Sequence, residues 1–130
     1  MRVGLLEDDV AIQEMVMLVL QDEDYEVIAY PDAEACLDAL RIEAPTSKTT
    51  SIDLLIVDWR LNGTMSGIEV IKCVRSVPYL AELPIILTTA ATFTDIESLR
   101  DLQVSLLEKP FSVDEIISLI KRVTGPLASS

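Results

Sequence analysis

The chain has 130 residues, half of them apolar, which is enough for one domain with its own core. With 22 acidic against 10 basic residues its formal net charge is −12, which argues against direct contact with nucleic acid or an anionic membrane surface. It has no histidine and only two cysteines, which excludes Ser-His-Asp and Cys-His catalysis and any zinc site of ordinary composition.

Residues 2–6 (RVGLL) are a short apolar run, read as a first strand that ends in Glu7-Asp8-Asp9. Ile12, Met15, Val16 and Val19 then recur at helical spacing, predicting a helix to about Gln21 with Asp9 as its N-cap. Residues 25–29 read as a second strand. Pro31-Asp32 opens a second helix with Ala33, Cys36, Leu37 and Leu40 on one face. Residues 43–51 (EAPTSKTTS) are polar, carry a proline and read as a loop. The strongest strand signal is at residues 52–57, apolar except for Asp53. A run of this kind suits a strand covered on both faces, and it ends at Asp58.

Gly63 and Gly67 bracket the loop that follows, and Ile68, Ile71 and Val74 mark a third helix ending before Pro78. Residues 84–89 (PIILTT) predict a fourth strand, and residues 93–102 a weaker fourth helix with Ile96 and Leu99 inward. Residues 104–107 predict a fifth strand, followed by Glu108-Lys109-Pro110. Ser112 and Glu115 form a capping-box pair for a fifth helix through Ile116, Ile117, Ile120 and Val123, with Gly125-Pro126 expected to stop it. Strands alternating with helices imply a parallel sheet covered on both faces. Cys36 and Cys73 read as packing residues in a reducing compartment. No apolar run approaches the ~20 residues that span a bilayer. The first residues lack the apolar stretch of a signal peptide, so a soluble cytoplasmic protein is the expectation.

Ligands of open parallel sheets bind beyond the carboxyl ends of the strands. The residues there are Glu7, Asp8 and Asp9 after the first strand, Asp58 after the third, Thr88-Thr89 and Ala90-Ala91 after the fourth, and Lys109 after the fifth. Carboxylates ~4 Å apart repel by roughly 4 kcal/mol per pair at an effective dielectric of ~20. The natural counter-charge is a hard divalent cation, and Mg²⁺ suits two or three carboxylates plus water. Taken alone, Glu7 and Asp8 read equally well as solvated loop charges with Asp9 as a cap. Asp58, held rigidly by a buried strand, is a candidate nucleophile toward phosphorus. Lys109 supplies a compact positive charge for a phosphoryl oxygen, Thr89 a hydroxyl donor, and Ala90 leaves room for the group.

These pieces together resemble the receiver domains of two-component response regulators. The matching segments are LLEDD (residues 5–9), LLIVDWRL (54–61), Gly67, PIILTTA (84–90) and EKPF (108–111), in order at the expected spacing from Val3 to Val123. The resemblance implies a flavodoxin-like, doubly wound α/β fold, with a five-stranded parallel sheet in the order 2-1-3-4-5 and five helices. Residues 1–125 would form the domain and 126–130 a C-terminal tail. It implies phosphorylation of Asp58 in an Mg²⁺-dependent reaction. Asp8 would bind the metal directly, Glu7 through water, Asp58 with them and Arg60 through its backbone carbonyl. Thr89 and Lys109 would contact the phosphoryl group, and the Lys109-Pro110 peptide would be cis.

The implied donor is a histidine kinase or histidine phosphotransfer protein. The implied target is a downstream protein or output domain, reached by switching the surface of the fourth helix, fifth strand and fifth helix. A homodimer is compatible with that scheme; direct nucleic-acid or membrane contact is not part of it. Such a domain catalyses only its own phosphorylation and dephosphorylation and is not an enzyme in the ordinary sense.

Two departures stand out. Leu106 takes the place of the aromatic usual three residues before the lysine. The loop WRLNGTMSG is one residue longer than the common form and looks like that of receivers in hybrid histidine kinases. The alternative is a receiver-like interaction module that works without phosphorylation. A haloacid dehalogenase type of hydrolase also attacks with an aspartate after a strand, but it needs a second Asp where this chain has Arg60.

Overall fold

A computed structural model describes residues 2–42, 52–61, 65–77, 80, 83–89, 103–109 and 111–129 of the chain. The elements run β1 (Arg2–Leu6), α1 (Val10–Asp22), β2 (Glu26–Ala29), α2 (Ala33–Ile42), β3 (Leu54–Asp58), α3 (Gly67–Arg75), β4 (Ile85–Thr89), β5 (Ser105–Glu108) and α4 (Val113–Ser129). The predicted fourth helix at residues 93–102, the loop at 43–51, and Ala90, Ala91 and Pro110 lie outside the described residues. Here α4 is therefore the helix read from sequence as the fifth.

All five strands are parallel, in the order β2-β1-β3-β4-β5, the doubly wound flavodoxin-like topology expected. Alternation along the strands sends side chains to two separate cores. Leu6, Leu55, Val57, Ile85 and Leu87 pack with α2 and α3. Val3, Leu5, Leu54, Ile56, Ile86 and Leu107 pack with α1 and α4. β3 is the central strand and is buried along its whole length, which is why its sequence shows no polar alternation. The chain leaves β1 outward to β2 and returns across it to β3. The strand order therefore reverses between β1 and β3, and a crevice opens at their carboxyl ends.

The caps fix where the helices start. The Asp9 carboxylate accepts the N–H groups of Ala11 and Ile12 at 2.9 and 3.2 Å. Ser112 and Glu115 form the reciprocal box predicted for α4, each bond 3.1 Å long. α4 departs from expectation at its other end. It runs through Gly125-Pro126 to Ser129, where the sequence predicts a stop. A proline inside a helix removes one backbone bond and costs about 3 kcal/mol, which biases against continuation without forbidding it. β3 begins two residues later than the apolar run suggests. Asp53 instead ties the chain to β1, accepting the Arg2 N–H at 2.8 Å while its own N–H donates to the Arg2 carbonyl at 2.8 Å. No helix among the described residues is long and apolar enough to cross a membrane.

Candidate functional site

Parallel strands end together at one rim of the sheet. The register Leu6↔Val57 brings Glu7 alongside Asp58 one step later, and Asp58 pairs with Thr88. Thr89 pairs with Glu108, so Lys109 follows at the same rim. These residues lie far apart along the chain, and the sheet collects them at one rim, as the strand-end reading expects.

The Lys109 ammonium stands between two acids, 3.0 Å from Glu7 Oε1 and 3.2 Å from Asp58 Oδ2. The Glu7 and Asp58 side chains are 3% and 9% exposed, so both acids are buried, while Lys109 is 22% exposed. Backbone donors hold the remaining oxygens. The Asp9 N–H donates to Glu7 Oε2 at 3.2 Å, and the Arg60 N–H to Asp58 Oδ1 at 3.3 Å. The main chain around Asp58 is fixed from both sides. The Trp59 N–H donates to the Thr88 carbonyl at 3.0 Å, and the Gly67 N–H to the Trp59 carbonyl at 2.9 Å.

Two acids against one ammonium leave excess negative charge. Burial, reinforced by a hydrogen bond to Asp58 and its charge, pushes the Glu7 carboxyl from 4.5 up to about 7, despite the opposing pull of the Asp9 N–H and Lys109. Burial alone would lower Lys109, but the facing carboxylates of Glu7 and Asp58 outweigh it and raise the ammonium.

A stability effect follows for Glu7. Its folded-state value lies above its unfolded one, so the stabilisation is full below about 4.5 and is lost as pH rises through about 7. Between about pH 5 and pH 8 the unsubstituted chain should lose on the order of 2 kcal/mol relative to Glu7→Gln, which cannot titrate. Urea unfolding of both chains across that range checks it; parallel curves would remove Glu7 from the titrating cluster.

Glu7, Asp8, Asp9, Asp58, Trp59, Arg60 and Lys109 line one open cavity of about 380 Å³. Of the predicted site residues, Glu7, Asp8, Asp58, Arg60 and Lys109 thus come together. Thr89 does not line the cavity. It is buried at the end of β4, and its carbonyl accepts the Lys109 N–H at 2.6 Å. Among the described residues no three acidic side chains stand as a ready metal cluster; Lys109 occupies the space between Glu7 and Asp58. The donor chemistry nonetheless fits a hard divalent cation: four carboxylates, those of Glu7, Asp8, Asp9 and Asp58, line the cavity, with the one ammonium of Lys109 among them.

Three features take roles that the sequence reading did not assign. Trp59 lines the cavity, with the Arg60 guanidinium 5.2 Å from its ring centre. Gly67 seats the start of α3 directly on the Asp58 backbone. Ser66 and Glu69 form a second capping box, and its S-x-x-E spacing was visible in the sequence.

Residues 3–121 match the family model described as the response regulator receiver domain. The phosphate regulon transcriptional regulatory protein PhoB of Escherichia coli K12 is 29% identical over 125 residues, covering 94% of this chain and 51% of PhoB. PhoB of Rhizobium meliloti is 31% identical over 123 residues, covering 92% and 50%. The chain thus spans about half the length of these curated relatives. Among solved structures, a putative response regulator from Chloroflexus aurantiacus superposes with a TM-score of 0.82 at 27% identity, covering 95% of this chain and 97% of that one. The chemotaxis response regulator CheY4 of Vibrio cholerae gives 0.78 at 27% identity, covering 94% and 97%.

Proposed function

The chain belongs to the response regulator receiver domain family of two-component signalling, and from that premise we propose that Asp58 accepts a phosphoryl group from the phosphohistidine of a histidine kinase or histidine phosphotransfer protein. The observation that carries this reading is the Lys109 ammonium, held 3.2 Å from a buried Asp58 carboxylate at the mouth of an acidic cavity. In the transfer, the donor's N–P bond breaks, an Asp58 oxygen bonds to phosphorus, and the imidazole leaves. Little covalent chemistry is asked of the protein; positioning and charge compensation do the work.

Each residue has a part in that division. The Arg60 N–H steadies one Asp58 oxygen, and backbone bonds through Trp59 fix the strand end. Lys109 can pass its charge from Asp58 to a phosphoryl oxygen within reach of the same ammonium. Glu7, Asp8, Asp58 and the Arg60 backbone carbonyl would hold Mg²⁺, which, when bound, offsets phosphoryl charge. Thr89, at the end of β4, is the hydroxyl that would contact the phosphoryl group and so bias the surface of the fourth helix read from sequence, β5 and α4. Leu106 on β5 is 40% exposed, so that face presents an aliphatic side chain to a downstream protein or output domain. The unit so described would comprise residues 1–125, in the cytoplasm.

Incubation with Mg²⁺ and a small phosphodonor such as acetyl phosphate tests the reading. One phosphoryl group per chain, labile to hydroxylamine, is the expected result. A folded chain that gains none would favour docking without phosphorylation, as the aliphatic Leu106 allows. Mg²⁺ at millimolar concentration should itself raise the Tm by at least ~3 °C at about pH 8. The rise should be smaller at about pH 5, because a proton on Glu7 then competes with the metal. A Tm indifferent to Mg²⁺ at both pH values would count against the metal site.

A further inference from the structure

Thr88 is 2% exposed, and its hydroxyl has no hydrogen-bond partner. Such a group costs about 1–3 kcal/mol relative to an apolar residue of the same shape, so valine would be the better choice for this state alone. Its surroundings narrow what the hydroxyl is for. Thr88 sits in register between Asp58 on β3 and Leu107 on β5. Side chains at paired positions of a parallel sheet project to the same face, so these two are its lateral neighbours. Only Asp58 of the pair can accept a hydrogen bond. Thr88 is no wall of the cavity, so a ligand there does not reach it directly.

In this structure both Asp58 oxygens are already engaged, Oδ1 by the Arg60 N–H and Oδ2 by Lys109. The Thr88 hydroxyl, at the position paired with Asp58, is left over.

We propose that Thr88 is a positioning residue for a second state of Asp58: its hydroxyl donates to the Asp58 carboxyl group once Lys109 has moved its charge onto a phosphoryl oxygen. This rests on Asp58 being the phosphoacceptor. The donor to Oδ2 leaves at that moment, and the orphaned hydroxyl on the neighbouring strand replaces it by rotation about one side-chain bond. The polar group is thus costly in the unmodified chain and used in the modified one.

Beryllofluoride with Mg²⁺, a tetrahedral mimic of the aspartyl phosphate, separates the possibilities, with binding followed by the fluorescence of the single tryptophan, Trp59, beside Asp58. Thr88→Val should raise the Tm of the ligand-free chain yet bind beryllofluoride about tenfold more weakly. Thr88→Ser, which keeps the hydroxyl, should bind within about twofold of the unsubstituted chain. A purely structural role would move stability and binding together and would not be rescued by serine. Equal binding by Thr88→Val and the unsubstituted chain overturns the role of Thr88 alone. No binding by the unsubstituted chain overturns the phosphoacceptor reading, and the Thr88 role with it. If Thr88→Val does not fold, Thr88→Ala against Thr88→Ser makes the same comparison, and equal binding by those two is the overturning result.

Discussion

Asp58→Asn should take up no phosphoryl group where the unsubstituted chain gains one, a loss of roughly 10³-fold or more in labelling rate, while its Tm stays within a few degrees. The amide has nearly the shape of the carboxylate and can still accept the Arg60 N–H now made to Oδ1. What it lacks is the anionic oxygen that attacks phosphorus. Stability survives because the cluster holds two acids for one ammonium. Lys109 keeps its 3.0 Å contact with Glu7, and Glu7 loses the neighbour whose hydrogen bond and charge help to hold it near 7. The substituted chain should therefore also show a lower Glu7 titration and a flatter stability profile between about pH 5 and pH 7. Intact mass after acetyl phosphate treatment, with thermal melts at about pH 8, checks both halves. Undiminished labelling would move the acceptor to another carboxylate of the cavity, Glu7 or Asp8. A collapsed Tm would mean that the Lys109–Asp58 contact, not Lys109–Glu7, carries the cluster.

The parts of this arrangement that were legible in the sequence are those set by local chemistry. β3 announced itself because a strand covered on both faces needs no polar alternation. Asp9 and the Ser112–Glu115 pair announced their helices because capping spacings are short-range. Glu7, Asp58 and Lys109 could be placed at one rim because parallel strands end on the same side. What stayed hidden depends on lateral register and alternation. Nothing in a single strand says that Lys109 will divide itself between two acids, or that Glu7 will be dry enough to hold a proton near neutrality. Nor does PIILTT reveal which threonine stands beside Asp58. Thr88 pairs with it, while Thr89, one residue on, projects to the other face. The stop expected for α4 at Gly125-Pro126 failed for a related reason: breaker residues report a local cost, and the outcome is decided by the whole helix.

Gly67 offers the sharpest test of how the acceptor is held, because two rules disagree about it. It is the first residue of α3, and its backbone needs no left-handed φ. By helix propensity alone, Gly67→Ala should stabilise by up to about 1 kcal/mol. The space around it says the reverse. A Cβ would lie 2.3 Å from the Asp58 carbonyl oxygen, 2.7 Å from Trp59 Cα and 2.9 Å from the Asp58 carbonyl carbon. These are backbone atoms of the acceptor segment, tied to β4 and to Gly67 itself, so no flexible side chain can swing away. Relief by about an ångström must come from one of two movements. Either α3 withdraws, loosening Ile68, Val70, Ile71 and Val74 from the core, or Asp58 and Trp59 shift off their register with Thr88. Both are expensive, and Gly67→Ala should lose on the order of 2–4 kcal/mol in urea unfolding. Displacement of the carboxylate should further slow phosphoryl uptake about 10²-fold in the molecules that remain folded. A Gly67→Ala chain as stable as its parent would mean that α3 does not rest on the Asp58 backbone; normal stability lost with normal labelling kept would mean that the helix, and not the acceptor strand, gives way.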